Sequence, residues 1–236
     1  MTHQDAVNEL RLVIRQQNLY DDDQLDDRLL KDWVNNQRAL WLRNEMNKQR
    51  NVDEQVIQTL GCEPLEVADR TSCPSYLTGY HVLQTSQDMP KTIELNNGDG
   101  IIEVAPVDKL SYPFSYIPLP RFRFSGNGRF NENIIFAARY EQRILVMSKG
   151  DQSFARYLRY LRIRGVFEDP EAVASHTHED GSACYTDENE YPMNRWMWNY
   201  VREEILKVNF KELITAPTDK VNDASENLKV DTNGSS

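Results

Sequence analysis

Three side chains late in the chain, His176, His178 and Cys184, are of the types that ligate a metal or attack a carbonyl, and Glu179 and Asp180 lie between them. Zinc accepts imidazole and thiolate, but its sites favour tightly spaced ligand pairs. The intervals here are loose, so residues 175–190 read as a polar surface loop. A Cys184–His176 nucleophile pair lacks any surrounding signature. Cys62 and Cys73 form no Cys-x-x-Cys pair and read as small buried hydrophobes. The chain has no Walker-type loop, and Gly126-Asn127-Gly128 lacks the strand, third glycine and helix of a dinucleotide site, so it reads as a turn. These residues predict neither an enzyme nor a bound cofactor or metal.

The stronger chemical signal is arginine. Arg121, Arg123, Arg139, Arg143, Arg156, Arg159, Arg162 and Arg164 are interleaved with Phe122, Phe124, Tyr157 and Tyr160. Residues 121–165 hold ten Lys/Arg against three Asp/Glu, a local +7 that leaves −17 for the rest of a chain whose net charge is −10. The overall charge argues against a general nucleic-acid binder, because phosphate binding needs local positive charge. The arginine segment has three readings: aromatic stacking on a single strand, an interface with acidic neighbouring subunits, or a lining that touches duplex phosphate without reading sequence.

The elements that must position these residues follow from periodicity. At 236 residues the chain is one large domain or two small ones, long enough to bury a core. Three cysteines, an odd number, fit a reducing cytoplasm rather than a disulfide framework. The start Met1-Thr2-His3-Gln4-Asp5 predicts no signal peptide, and no apolar run approaches the ~20 residues that span a bilayer. Val7, Leu10, Val13 and Ile14 predict a helix over 5–18, capped by Thr2 or Asp5. A cap from Tyr20-Asp21-Asp22-Asp23 precedes a long helix over 25–50, with Leu25, Leu29, Trp33, Leu40 and Trp41 along one stripe and Leu30 and Val34 beside it. Asn35, Asn36 and Gln37 sit in its middle, either on an outer face or against a neighbouring subunit.

Short strands are expected at 56–60, 80–83, 91–95 and 101–104, with 65–68 a further apolar piece and Asn97-Gly98-Asp99-Gly100 a turn. Residues 105–120 carry four prolines and read as an irregular loop or edge. Residues 121–124 alternate charge and aromatic as a strand would. Residues 133–140 and 143–148 form a hairpin around Glu141-Gln142, and 157–166 is a strand with neither face cleanly apolar. Pro170 starts a short helix. Tyr191-Pro192-Met193 opens the last helix, 193–208, with Met197, Val201, Ile205 and Val208 in line. From Pro217 onward the composition is that of a segment disordered by itself.

Several pieces in this order resemble a known family. They are Leu30-Lys31-Asp32-Trp33 with Asn36-Gln37-Arg38-Ala39-Leu40, Leu60-Gly61-Cys62-Glu63-Pro64-Leu65-Glu66-Val67, Leu161-Arg162-Ile163-Arg164-Gly165-Val166-Phe167-Glu168-Asp169-Pro170, and Tyr191-Pro192-Met193 with Pro217-Thr218-Asp219-Lys220-Val221-Asn222-Asp223. Together they resemble the ring proteins of crAss-like phages, which are similar to podovirus head-to-tail adaptors. The resemblance implies an α+β fold in which N- and C-terminal helices pack as a bundle around an inserted antiparallel β-barrel or sandwich. The corresponding division is a helical core of 1–58 and 190–215, a β-rich insertion of 59–189 and an extended arm of 216–236.

It further implies a structural virion protein, assembled in the host cytoplasm, with no catalysis and no cofactor. The implied assembly is a ring of about twelve copies under the portal protein, carrying the next tail ring or tail hub and passing genomic DNA without sequence specificity. Another tail or collar subunit, or a soluble metal-dependent enzyme, are the alternatives. On this reading Arg139, Arg143, Arg156, Arg159, Arg162 and Arg164 line the DNA channel or a subunit interface. Pro217, Asp219, Lys220, Asn222 and Asp223 form a portal- or neighbour-docking arm, and Asn35, Asn36 and Gln37 form a helix interface.

Overall fold

The computed structural model describes residues 1–17, 26–48, 52–68, 82–108, 111–122, 124–150 and 157–211. Arg123, Arg156, Cys73, the Asp21–Asp23 cluster and the arm residues Pro217, Asp219, Lys220, Asn222 and Asp223 lie outside them.

Two helices open the chain, α1 (His3–Gln17) and α2 (Asp27–Asn47). Thr2 and Asp5 cap α1 reciprocally. The Asp5 N–H donates to Thr2 Oγ1 at 3.1 Å, and the Thr2 N–H donates to Asp5 Oδ2 at 2.9 Å. The cap of α2 is Asp26, whose Oδ1 accepts from the Arg28 N–H at 3.1 Å. The inward line of α2 is Leu30, Val34, Arg38 and Leu42, spaced four residues apart. This shifts the expected stripe: Trp33 and Trp41 are only half-buried, and Leu29 and Leu40 are exposed.

Strands β1 (Gln58–Val67), β2 (Val82–Thr85), β5 (Ile101–Pro106), β6 (Ser115–Tyr116), β7 (Phe136–Tyr140), β8 (Arg143–Met147) and β9 (Tyr160–Gly165) form a seven-stranded sheet in the order β5-β9-β1-β2-β8-β7-β6. A separate small hairpin, β3 (Glu94–Leu95) with β4 (Gly98–Asp99), turns at Asn96-Asn97, one step before the expected turn. The pairing is antiparallel except between β6 and β7, which run parallel. The two edges of the sheet nearly meet: the Phe114 N–H, just before β6, donates to the Val104 carbonyl of β5 at 2.8 Å. The sheet is therefore a nearly closed barrel. Leu60, Leu83, Val104, Ala137, Ile144, Val146, Leu161 and Ile163 fill its interior, with Tyr116 packed against them. The expected fold class, α+β with terminal helices flanking a barrel-like sheet, is the one observed.

Three local expectations change. The pieces at 56–60 and 65–68 are one strand, β1, because a bulge between Leu60 and Glu63 carries the chain past Gly61 and Pro64 without ending the pairing with β9. Residues 119–122 form a short helix, α3 (Leu119–Phe122), in place of a strand. Proline supplies the first-turn geometry there, and the Pro118 carbonyl accepts from the Arg121 and Phe122 N–H groups. Phe122 is buried on the outer face of β7 and β8 with Phe136, Ala138, Leu145 and Met147. Strand β9 alternates cleanly once it begins at Tyr160: Leu161, Ile163 and Gly165 turn inward while Arg162 and Arg164 are half-buried on the other face.

The last described element is helix α4 (Arg195–Ile205), extended by one wide turn through Phe210. Helix α2 packs on both α1 and α4. Ala6, Val7, Leu10, Ile14, Met197, Trp198, Val201 and Ile205 form their common core, which reaches the barrel through Val56, Ile93 and Val166.

Candidate functional site

The helical unit is held to the barrel by a buried charge. Arg38 is fully buried, and its Nη1 donates to the Phe167 carbonyl at 3.0 Å while Nε donates to the Pro192 carbonyl at 2.8 Å. The guanidinium also lies 5.6 Å from the centroid of the Tyr191 ring. Burial pulls its proton affinity below the ordinary arginine value, and nearby tyrosine and Asp169 oppose that. No carboxylate ion pair to Arg38 occurs among the described residues; carbonyl dipoles serve Nε and Nη1 and a ring face lies nearby, while the buried Nη2 has no hydrogen-bond partner.

Around Arg38 the two ends of the chain interlock. Tyr191 Oη donates to Asn35 Oδ1 at 2.6 Å, and its ring stacks on His3 at 4.4 Å. Asn35 Nδ2 donates to Asp169 Oδ1 at 3.3 Å, and Gln37 Nε2 donates to Asn209 Oδ1 at 3.1 Å. His3 Nδ1 and Lys31 Nζ converge on Glu171 Oε1 at 2.7 and 3.2 Å. Burial lowers the His3 pKa below its ordinary value despite Glu171. The Glu171 carboxyl is held low by His3 and Lys31, although its own desolvation opposes this.

Of the three helix residues singled out from sequence, Asn35 and Gln37 thus make bonds within the chain, while Asn36 is exposed. Asn36 and Gln37 line a groove of about 660 Å³ between α2 and the barrel, together with Leu40, Arg43, Arg139 and Glu168. The fold therefore joins part of the helix set and one member of the arginine set in a single concavity.

The remaining arginines are mostly neutralised by their own chain. Glu103 takes Arg162 Nη2 at 2.7 Å on one oxygen and Arg164 Nη1 at 3.2 Å on the other, and Arg164 also reaches Glu54. Arg143 bridges Glu66 at 2.8 Å and Asp88 at 3.1 Å. Arg139 Nε donates to the Glu141 carbonyl at 2.9 Å, and its Nη1 reaches Thr92 and lies 3.8 Å from Asp99. Arg159 is exposed beside Tyr157 and Tyr160. Carboxylates at 54, 66, 88 and 103 are distant in sequence from the arginines they meet. Only the sheet order brings them together.

The His/Cys segment divides. His176 is buried against Glu63, with Nδ1 2.6 Å from Oε1. His178 Nδ1 lies 3.8 Å from Cys184 Sγ, against the backbone of Gly61. Burial raises the Cys184 thiol pKa, which opposes a nucleophilic thiolate. Among the described residues no three His, Cys, Asp or Glu side chains are grouped to hold a metal. No described helix is long and apolar enough to cross a membrane.

Two comparisons bear on this arrangement. Ring protein 2 of Bacteroides phage crAss001 is 23% identical over 152 residues, which is 64% of this chain and 65% of that relative. The profile of the phage tail ring protein 2 family matches residues 6–228, taking in both helical ends and the barrel. The chain belongs to the phage tail ring protein 2 family of crAss-like phages, and is thus a structural component of the virion tail, not an enzyme.

Proposed function

We propose that copies of this protein close head-to-tail into a ring of about twelve beneath the portal, as a head-to-tail adaptor that continues the DNA channel and docks the next tail ring or tail hub. The reading is supported chiefly by the family match over residues 6–228. The clasp built on Arg38 agrees with it, since a ring subunit that transmits force needs its helical collar and its barrel to move as one body. On this reading the collar is 1–58 with 190–215, the barrel insertion is 59–189, and 216–236 is the arm that reaches the portal or a sibling through Pro217, Asp219, Lys220, Asn222 and Asp223. Asn36 and Gln37, in the groove beside Arg139, contribute to a subunit contact, as does Asn35 on the same helix.

DNA passing through the lumen must slide, so its wall must not bind phosphate tightly. Internal neutralisation of Arg143, Arg162 and Arg164 suits that requirement, and exposed Arg159 with Arg156 supplies a weaker, sequence-blind contact. On this reading assembly takes place in the host cytoplasm. The test is electron microscopy of the protein mixed with its portal, with the protein alone as control. A coaxial ring stacked on the portal is expected. A ring that attaches elsewhere in the tail and ignores the portal would replace the adaptor role with that of a distal tail component.

A further inference from the structure

A second concavity lies on the helical side, between α2 and the start of α4. It has a volume of about 370 Å³ and is walled by Trp41, Met46, Val52 and Trp196, with Asp53 and Asn194 among its polar atoms. Its chemistry is specific. Asn194 is the N-cap residue of α4, yet its side chain makes no capping bond. Instead Nδ2 donates to Asp53 at 2.9 Å, and Oδ1 has no hydrogen-bond partner although the residue is only 5% exposed. Such an orphan acceptor normally finds a donor. Among the described residues the lining includes the carboxylates of Asp53 and of Glu45, which Lys48 Nζ meets at 2.8 Å, and no Lys or Arg side chain.

The aromatic wall continues onto the surface: Trp41 meets Trp196 edge-on at 5.2 Å, Trp196 meets Tyr200 at 6.4 Å, and Trp196 and Tyr200 remain 54% and 56% exposed. A cleft with indole faces, carboxylates and an unfilled acceptor suits a guanidinium flanked by an aromatic ring.

The same chain displays that chemistry on another face. The loop following α3 exposes Phe124 (76%) and Phe130 (90%), with Arg121 and Arg129 also exposed. This loop is carried by the apolar cluster under α3, which shares no residue with the helical core that carries the groove. A heterologous ring contact requires two different, mutually complementary patches on every subunit.

Resting on the ring reading above, we propose that the α2–α4 groove of one copy receives the Arg129- and Phe130-bearing loop of the next. The guanidinium donates to Asn194 Oδ1 beside Asp53, and the phenyl ring packs on Trp196.

The test places a photo-crosslinking phenylalanine analogue at position 130 in the full-length chain, mixed with a ¹⁵N-labelled wild-type chain and the portal. Products are mapped by mass spectrometry, and assembly is followed by electron microscopy. The expected result is light–heavy crosslinks to peptides containing Trp41, Val52 or Trp196. Trp196→Ala and Phe130→Ala should each raise the concentration needed for rings at least tenfold while leaving the melting temperature unchanged. Rings that form normally with crosslinks to another surface of the sibling, or only to the portal, overturn the groove–loop contact and leave the ring intact. Absence of any ring overturns the ring reading as well.

Discussion

Arg38 Nε donates to the carbonyl oxygen of Pro192 at 2.8 Å across 154 positions of sequence. The middle of the long N-terminal helix is thereby fastened to the residues that launch the C-terminal one. The same guanidinium holds Phe167 O, at the exit from β9. Replacing it with alanine leaves two buried carbonyls unpaired and opens a cavity. Arg38→Ala should destabilise the protein by about 3 kcal/mol or more, and Arg38→Lys by less, because an ammonium keeps the charge but not the fork. Urea unfolding midpoints measure both. A neutral Arg38→Ala would mean that the clasp contributes nothing.

His3 makes the same junction sensitive to acid. Its Nδ1 faces Glu171 while its buried Nε2 has no partner, which suits a neutral ring with the proton on Nδ1. Protonation would bury an unpaired N–H. Because burial places the folded-state pKa below the ordinary value of 6.5, the unfolded chain binds more protons between the two values. Stability should therefore be fully present above about pH 6.5 and decline as pH falls toward the folded-state pKa. Each tenfold reduction in proton affinity corresponds to about 1.4 kcal/mol. Comparing urea midpoints at neutral and mildly acid pH, His3→Asn should flatten part of the decline. Identical slopes in the two proteins would exclude His3 as the source.

Gly100 sits where the small hairpin leaves for β5. A Cβ there would come 2.6 Å from the Val166 carbonyl and 3.2 Å from the Ile93 nitrogen. Both neighbours are backbone, and Val166 N–H already donates to Gly100 O at 2.9 Å. Gly100→Ala should cost about 2 kcal/mol, in the range of overpacked cores. Thermal unfolding measures it, and an unchanged midpoint would show that the hairpin yields freely.

Glu103 decides whether Arg162 and Arg164 are available to phosphate, since it holds both. Glu103→Gln should raise affinity for a short duplex several-fold at low salt and steepen the salt dependence by about 0.9 for each additional phosphate neutralised. Binding measured across a salt series separates the readings. No change in affinity or slope would remove these two arginines from any DNA-facing wall and assign them to holding β5 against β9.

Local pattern made much of the fold legible. The helices at 3–17, 27–47 and 195–205 follow from apolar spacing, and the hairpin at Glu141-Gln142 follows from two strand-like runs around a short turn, with Glu141 in the left-handed region at φ 53°. These features depend on neighbours a few residues away, so spacing alone determines them. The family, too, was visible in ordered short segments along most of the chain.

What spacing could not supply was the identity of distant partners. A sequence pattern places an arginine between apolar turns on the outside of a helix, because burying a charge by itself is costly. Arg38 is inside because residues 129 and 154 positions away deliver carbonyls to it. The arginine segment carries a local +7 in sequence, yet the fold sets Glu103 beside Arg162 and Arg164, and Glu66 beside Arg143. Residues 121–124 carried a strand's alternation, yet Arg121 and Phe122 belong to a short helix over 119–122, which packs Phe122 against β7 and β8. Short-range periodicity determined which elements form. Tertiary packing alone decided which charges are neutralised inside the molecule and which remain for its neighbours, since electrostatic pairing and burial depend on distance in space rather than along the chain.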